Sequence, residues 1–174
     1  APILGWELEG SLHQVSETDR NGRFGAARVI FQKRFTPEWK IRAQHEFTRY
    51  DGKAHAFDSK GRETTLGVDR QLGTQWTLGA EIRYRDGGVL SYATPPRPDL
   101  LKRGKALTTV TTFDRDKDMV AYYFIAQTFT TRLSLTRELS ESSTLSLSTE
   151  RRDTSEGAVD YLNWQSSLEF IVQF

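Results

Sequence analysis

Apolar and polar residues alternate with a period of two along most of the chain. That period dictates strands rather than helices, because successive side chains of a strand point to opposite faces. In the first segment Leu4, Trp6, Leu8, Gly10 and Leu12 alternate with Gly5, Glu7, Glu9, Ser11 and His13. The second sets Ala27, Val29, Phe31 and Phe35 against Arg28, Gln32 and Arg34; the third sets Trp39, Ile41, Ala43 and Phe47 against Lys40, Arg42, Gln44 and Glu46. In the fourth, Leu66, Val68 and Leu72 oppose Thr65, Asp69 and Gln71; in the fifth, Trp76, Leu78, Ala80, Ile82 and Tyr84 oppose Thr77, Glu81, Arg83 and Arg85. Beyond residue 118 the alternation returns, with Phe129, Thr131, Leu133, Leu135 and Leu139 facing away from Arg132, Ser134, Thr136 and Glu138. Leu145 and Leu147 then face away from Ser146, Ser148 and Glu150, and a last segment sets Leu162, Trp164, Leu168, Phe170, Val172 and Phe174 against Asn163, Gln165, Ser167, Glu169 and Gln173. The pattern predicts an all-β fold of eight strands in a single domain spanning 1–174.

The connections alternate in kind. Short joints at 36–38, 73–75 and 140–143 separate longer, polar ones near 14–23, 51–61, 86–118 and 151–160. The segment at about 86–118, with its prolines and mixed charges, predicts a long outer loop, and the pattern leaves open whether 105–113 adds a strand. Short and long connections therefore fall at opposite ends of an antiparallel, up-and-down sheet. An even strand number with that asymmetry is the pattern of a transmembrane β-barrel, in which closure also removes the exposed edges.

Alternation alone does not say which face is inside. A soluble lipocalin-like barrel would turn the apolar face inward, and Gly5-Trp6 is similar to that family's opening motif. Three features favour lipid on the apolar face instead. All four Trp fall on it, together with several large residues from every strand, more than a narrow barrel interior can hold. Trp39 and Trp76 also follow short turns directly, where an interfacial girdle places indoles; the alternative is ordinary hairpin aromatics. Lys33, Arg70 and Arg137 add a third feature, since each lies two residues before the last apolar member of its strand: Phe35, Leu72 and Leu139. Cations so placed can snorkel to headgroup depth. The expected girdle is thus Trp6, Trp39, Trp76 and Trp164 with Lys33, Arg70 and Arg137.

On these features the chain resembles the small eight-stranded outer-membrane barrels that include the transmembrane domain of outer membrane protein A and its outer membrane protein X relatives. Its end, "LEFIVQF", is similar to the terminal-aromatic assembly signal of that class, carried here by Leu168, Phe170, Val172 and Phe174. The resemblance implies a Gram-negative outer membrane, both termini on the periplasmic side, and insertion by the outer-membrane assembly machinery. It also implies that Phe174 is sheltered by lipid and by pairing of the last strand with the first.

The polar face then becomes the lumen. Its cations are Arg28, Arg34, Lys40, Arg42, Arg83, Arg85 and Arg132, and its anions Glu7, Glu9, Glu46, Asp69, Glu81, Glu138, Glu150 and Glu169. Near-balanced signs in a narrow tube predict a network of ion pairs that fills it, because unpaired buried charge is costly. A narrow diffusion channel is the alternative. A third class, lipid A-modifying enzymes, lacks support: the His-x-Ser pattern of the deacylases is absent, since His13, His45 and His55 are followed by Gln-Val, Glu-Phe and Ala-Phe. Ser11 and His13 are expected as hydrogen-bonding lumen residues, and His45 as a tolerated polar residue on the apolar face. No catalytic residue, metal ligand set or cofactor is assigned.

With 24 Lys+Arg against 23 Asp+Glu, the chain lacks the basic excess of a nucleic-acid partner, and with no Cys it has no disulfide or thiolate chemistry. The long connections hold the remaining basic residues. Arg97, Lys102, Arg103 and Lys105, in the most locally basic stretch, are candidates for contacting lipopolysaccharide phosphates or a protein partner. The sequence thus predicts a non-enzymatic outer-membrane scaffold that stabilises the membrane or meets another macromolecule through its loops.

Overall fold

The computed structural model describes residues 2–14, 21–53, 57–93, 105–107, 120–156 and 159–172. The strands are β1 (Ile3–His13), β2 (Gly22–Arg34), β3 (Trp39–Gly52), β4 (Ser59–Leu72), β5 (Trp76–Ala93), β6 (Lys105–Leu107), β7 (Val120–Ser140), β8 (Ser143–Glu156) and β9 (Val159–Val172). Eight of them form one antiparallel sheet in the order β1-β2-β3-β4-β5-β7-β8-β9, and the three-residue β6 pairs with β7. Among the described residues there is no α-helix. The all-β, up-and-down architecture expected from the alternation is the one observed.

Each short turn is closed by local chemistry. Thr36 Oγ1 accepts hydrogen bonds from the backbone amides of Glu38 (3.3 Å) and Trp39 (3.2 Å), and the Phe35 amide donates to the Trp39 carbonyl at 2.9 Å. Gly73 takes a φ of +67°, a left-handed conformation that a Cβ would penalise, and so starts the 73–75 turn. Ser140 Oγ receives the Ser142 amide and meets Ser143 Oγ at 2.6 Å.

At the opposite end the strands run further than the alternation predicts. β5 continues to Ala93 and pairs with β7 as far as Val120, so the long connection starts well after residue 86. β8 reaches Glu156 and β9 begins at Val159, which replaces most of the expected loop at 151–160 with paired strand. β2, β3 and β4 are longer at this end too. The reason on β2, β3, β4, β8 and β9 is that charged residues appear here on the otherwise apolar face, and on β5 that Gly87-Gly88 and the adjacent apolar pair Val89-Leu90 break the alternation, so the polarity contrast vanishes while the backbone ladder continues. Residues 105–107 form β6, which pairs with β7 from Tyr123 to Ala121.

The described ladders run from β1 to β9 and include none between those two strands, so the closing pairing expected to shelter the chain end is not among them. Phe174 lies outside the described residues. The sheet shelters its polar face: Phe124, Ala126 and Thr130 of β7 and Ser148 of β8 are buried, and all four are in register with the Glu81–Arg132–Glu150 side of the sheet.

Candidate functional site

The polar face carries a ladder of charges placed by strand register. Glu7, Arg28 and Glu46 stand side by side on β1, β2 and β3. Arg28 donates to both carboxylates, at 2.6 Å to Glu7 and 2.7 Å to Glu46, and Gln44 Nε2 adds a bond to Glu46 at 3.3 Å. On β3 and β4, Arg42 Nη2 donates to Asp69 at 3.1 Å. Arg83 of β5 donates to Glu81 two residues away at 2.7 Å, and its Nε lies 3.4 Å from Glu63. On β8, Arg152 donates to Glu150 at 2.7 Å. These pairs are partly sheltered, with the side chains of Glu46, Glu81 and Glu150 each only 17% exposed.

Of the lumen charges expected from the sequence, Glu7, Arg28, Arg42, Glu46, Asp69, Glu81, Arg83 and Glu150 are thus brought into ion pairs. Arg132 instead donates to Ser148 Oγ at 3.3 Å, and Arg85 to the Gly88 carbonyl at 3.5 Å. Glu9, Arg34, Lys40, Glu138 and Glu169 take the same face by register but join no ion pair among the described residues. Two members were missed, Glu63 and Arg152. Both keep the period of two with neighbours already assigned, Thr65 and Glu150, and extending the alternation outward along β4 and β8 would have found them.

The apolar face has a charged border at each end. At the short-turn end the register sets Arg70 opposite Trp39 and Arg137 opposite Trp76. The Arg70 guanidinium lies 5.1 Å from the Trp39 ring centre, that of Arg137 5.1 Å from Trp76, and Lys33 Nζ 4.7 Å from Phe35. At the long-loop end the same face carries Arg49 with Asp51 (2.8 Å), Arg62 with Asp86 (2.8 Å) and Arg151 with Asp153 (3.1 Å). This second border had no counterpart in the sequence reading. Trp164 belongs with it, paired with Arg151 at 5.8 Å, while Trp6 stands opposite Val29 inside the apolar band, so the four indoles do not share one level.

Between the borders the face is apolar and exposed. On β3 the band runs from Trp39 to Phe47, about 27 Å along the strand at ~3.4 Å per residue. Four of its polar members pair with each other. His45 Nδ1 lies 2.8 Å from Thr64 Oγ1 and its ring packs edge-on to Phe47 at 4.5 Å, and Ser166 donates to Thr149 at 3.3 Å.

Ser11 and His13 face the polar side, with Ser11 Oγ 3.0 Å from His13 Nε2 and the imidazole edge-on to Phe24 and Tyr50. Among the described residues no group of three or more acidic or imidazole side chains is placed to hold a metal ion. Leu168, Phe170 and Val172 alternate along β9 on the apolar face. Arg97, Lys102 and Arg103 lie outside the described residues, and only the backbone of Lys105 is described, in β6. No family model, curated protein or solved structure matches the chain.

Proposed function

We propose that the chain spans an outer membrane as an eight-stranded β-barrel, closed by β9 against β1, and acts as a non-enzymatic scaffold with an ion-paired lumen. One observation carries this reading: the inverted partition of the sheet, whose charged face is largely sheltered on the inner strands β2 to β8 and whose exposed face is apolar. Leu66, Leu133 and Leu147, on central strands, are 49%, 57% and 53% exposed, while Thr130 and Ser148 are buried. In water that arrangement would leave a broad apolar surface uncovered, whereas hydrocarbon covers it without cost.

The dimensions support the same reading. Charged residues bound the apolar band at Lys33 and Arg23 on β2 and at Arg70 and Arg62 on β4, and on β5 it runs from Trp76, beside Arg137, to Asp86. A separation of eight to ten residues, tilted as barrel strands are, spans about 20–26 Å, close to the ~25 Å apolar belt of such barrels. Arginines over indoles suit the boundary between headgroups and hydrocarbon. The alternating apolar end of β9 supports delivery by the outer-membrane assembly machinery to a Gram-negative cell surface, with both termini periplasmic. Loops at the other end would meet lipopolysaccharide or a protein partner.

A small diffusion channel is the second reading, favoured by the cavity of about 380 Å³ on the polar face. Reconstitution in planar bilayers separates the two. A scaffold gives no steady openings; regular openings whose ion selectivity changes in Glu81→Gln would replace the scaffold with a channel.

A further inference from the structure

The cavity on the polar face lies toward the short-turn end, above Gly67 and Gly79, where the absence of side chains makes room. A Cβ on Gly79 would come within 2.5 Å of Ser134 Oγ, and one on Gly67 within 3.3 Å of the Arg42 guanidinium. Lys40, Arg42 and Arg132 reach the cavity, which is half open and holds about 380 Å³; the hydroxyls of Thr77, Ser134, Thr136 and Ser146 line it together with the carboxylates of Asp69 and Glu81.

Its charges do not cancel. Asp69 is taken by Arg42, and Glu81 by Arg83, which lies outside the cavity. Glu150, beside Arg132 in register, is taken by Arg152. Lys40 stands opposite Asp69 and Arg132 opposite Glu81 and Glu150 in register, yet neither cation forms an ion pair among the described residues, because those carboxylates are engaged by Arg42, Arg83 and Arg152. A second observation comes from Arg42: its Nε is buried and has no hydrogen-bond partner, although its Nη2 is engaged. A buried N–H donor without an acceptor is unusual in a folded protein and leaves the guanidinium one bond short.

We propose that this cavity binds a small oxyanion, a phosphate or carboxylate group carried by a free solute, held by Lys40, Arg42 and Arg132 with the hydroxyl wall donating around it. Guanidinium and ammonium donors on an anionic oxygen make the stronger class of hydrogen bond, and a partly enclosed site limits screening by water. The site needs only the polar face and stands whether hydrocarbon or protein covers the other one. It turns that face from filler into a receptor for anions.

Titration calorimetry of the folded full chain with inorganic phosphate tests it, in zwitterionic micelles or, if the chain folds without detergent, in buffer. Saturable one-site binding is expected, weakened about tenfold by Lys40→Gln and by Arg132→Gln and retained in Arg132→Lys. Arg62→Gln, which removes a cation from the other face, is expected to leave it unchanged. Equal weakening by Arg62→Gln would reduce the effect to net charge and overturn the site. So would an absence of saturable binding in the wild-type chain. Competition by phosphatidylglycerol added to the micelles would assign the cations to headgroups and overturn a free solute. Should the cavity variants not fold, bromide soaked into crystals of the wild-type chain reads the same question: an anomalous peak among Lys40, Arg42 and Arg132 is expected, and ordered bromide only elsewhere contradicts it.

Discussion

The two faces of this sheet invert the arrangement of a water-soluble antiparallel sheet, in which the packed face is apolar and the solvated face polar. Here Val29, Phe47 and Leu133 stand 53%, 57% and 57% exposed on one face, while on the other Arg28 and Arg83 are tied between carboxylates. The contrast teaches that exposure and polarity are set separately. Alternation fixes which residues share a face; the medium around the sheet decides which face the fold can leave open.

The sharpest way to break the comparison is a charge in the middle of the exposed face. Leu133→Arg at a water-facing site would change stability by no more than about 0.5 kcal/mol, but at a hydrocarbon-facing site it costs about 2–4 kcal/mol. Reversible urea unfolding in phospholipid vesicles measures this, and the larger value is expected. The sheltered face should be next most sensitive. Arg28→Ala leaves the carboxylate of Glu46, a side chain 17% exposed, with only the Gln44 amide, for an expected loss of about 1–3 kcal/mol in the same assay. Trp76→Ala removes an indole and its contact with Arg137, a loss of about 1–2 kcal/mol that should shrink in Arg137→Ala, as a double-mutant cycle would show. Smallest is Arg62→Ala at the long-loop border. Its pair with Asp86 has an arginine side chain 62% exposed, so a change of about 0–1 kcal/mol that fades at high salt is expected.

The sequence was most legible where polarity contrast was strong. Trp39, Trp76 and the three basic residues near the short turns could be placed from spacing alone, because a turn of a few residues fixes register on both sides. The ends of the strands near the long connections were not legible. Arg49, Arg62, Asp86 and Arg151 put charges on the apolar face, which erases the two-residue signal although pairing continues. Ion-pair partners were only half legible for a related reason. Spacing assigns Arg83 and Glu81 to one face, but the preference of Arg132 for Ser148 over Glu150 depends on side-chain packing between strands. The cavity above Gly67 and Gly79 was invisible, since it arises from residues on five strands that only the register brings together.

The central claim is that hydrocarbon touches the apolar face between its two charged borders. Single-tryptophan variants reconstituted in vesicles of acyl-brominated lipids test it most directly, because bromine quenches an indole only on near contact. The account predicts strong quenching of Trp6, opposite Val29 within the band, by bromine deep in the chains, and of Trp39 and Trp76 by bromine near the headgroups. A chain that stays monomeric in plain buffer, with these indoles quenched by aqueous iodide and indifferent to brominated lipid, would contradict it.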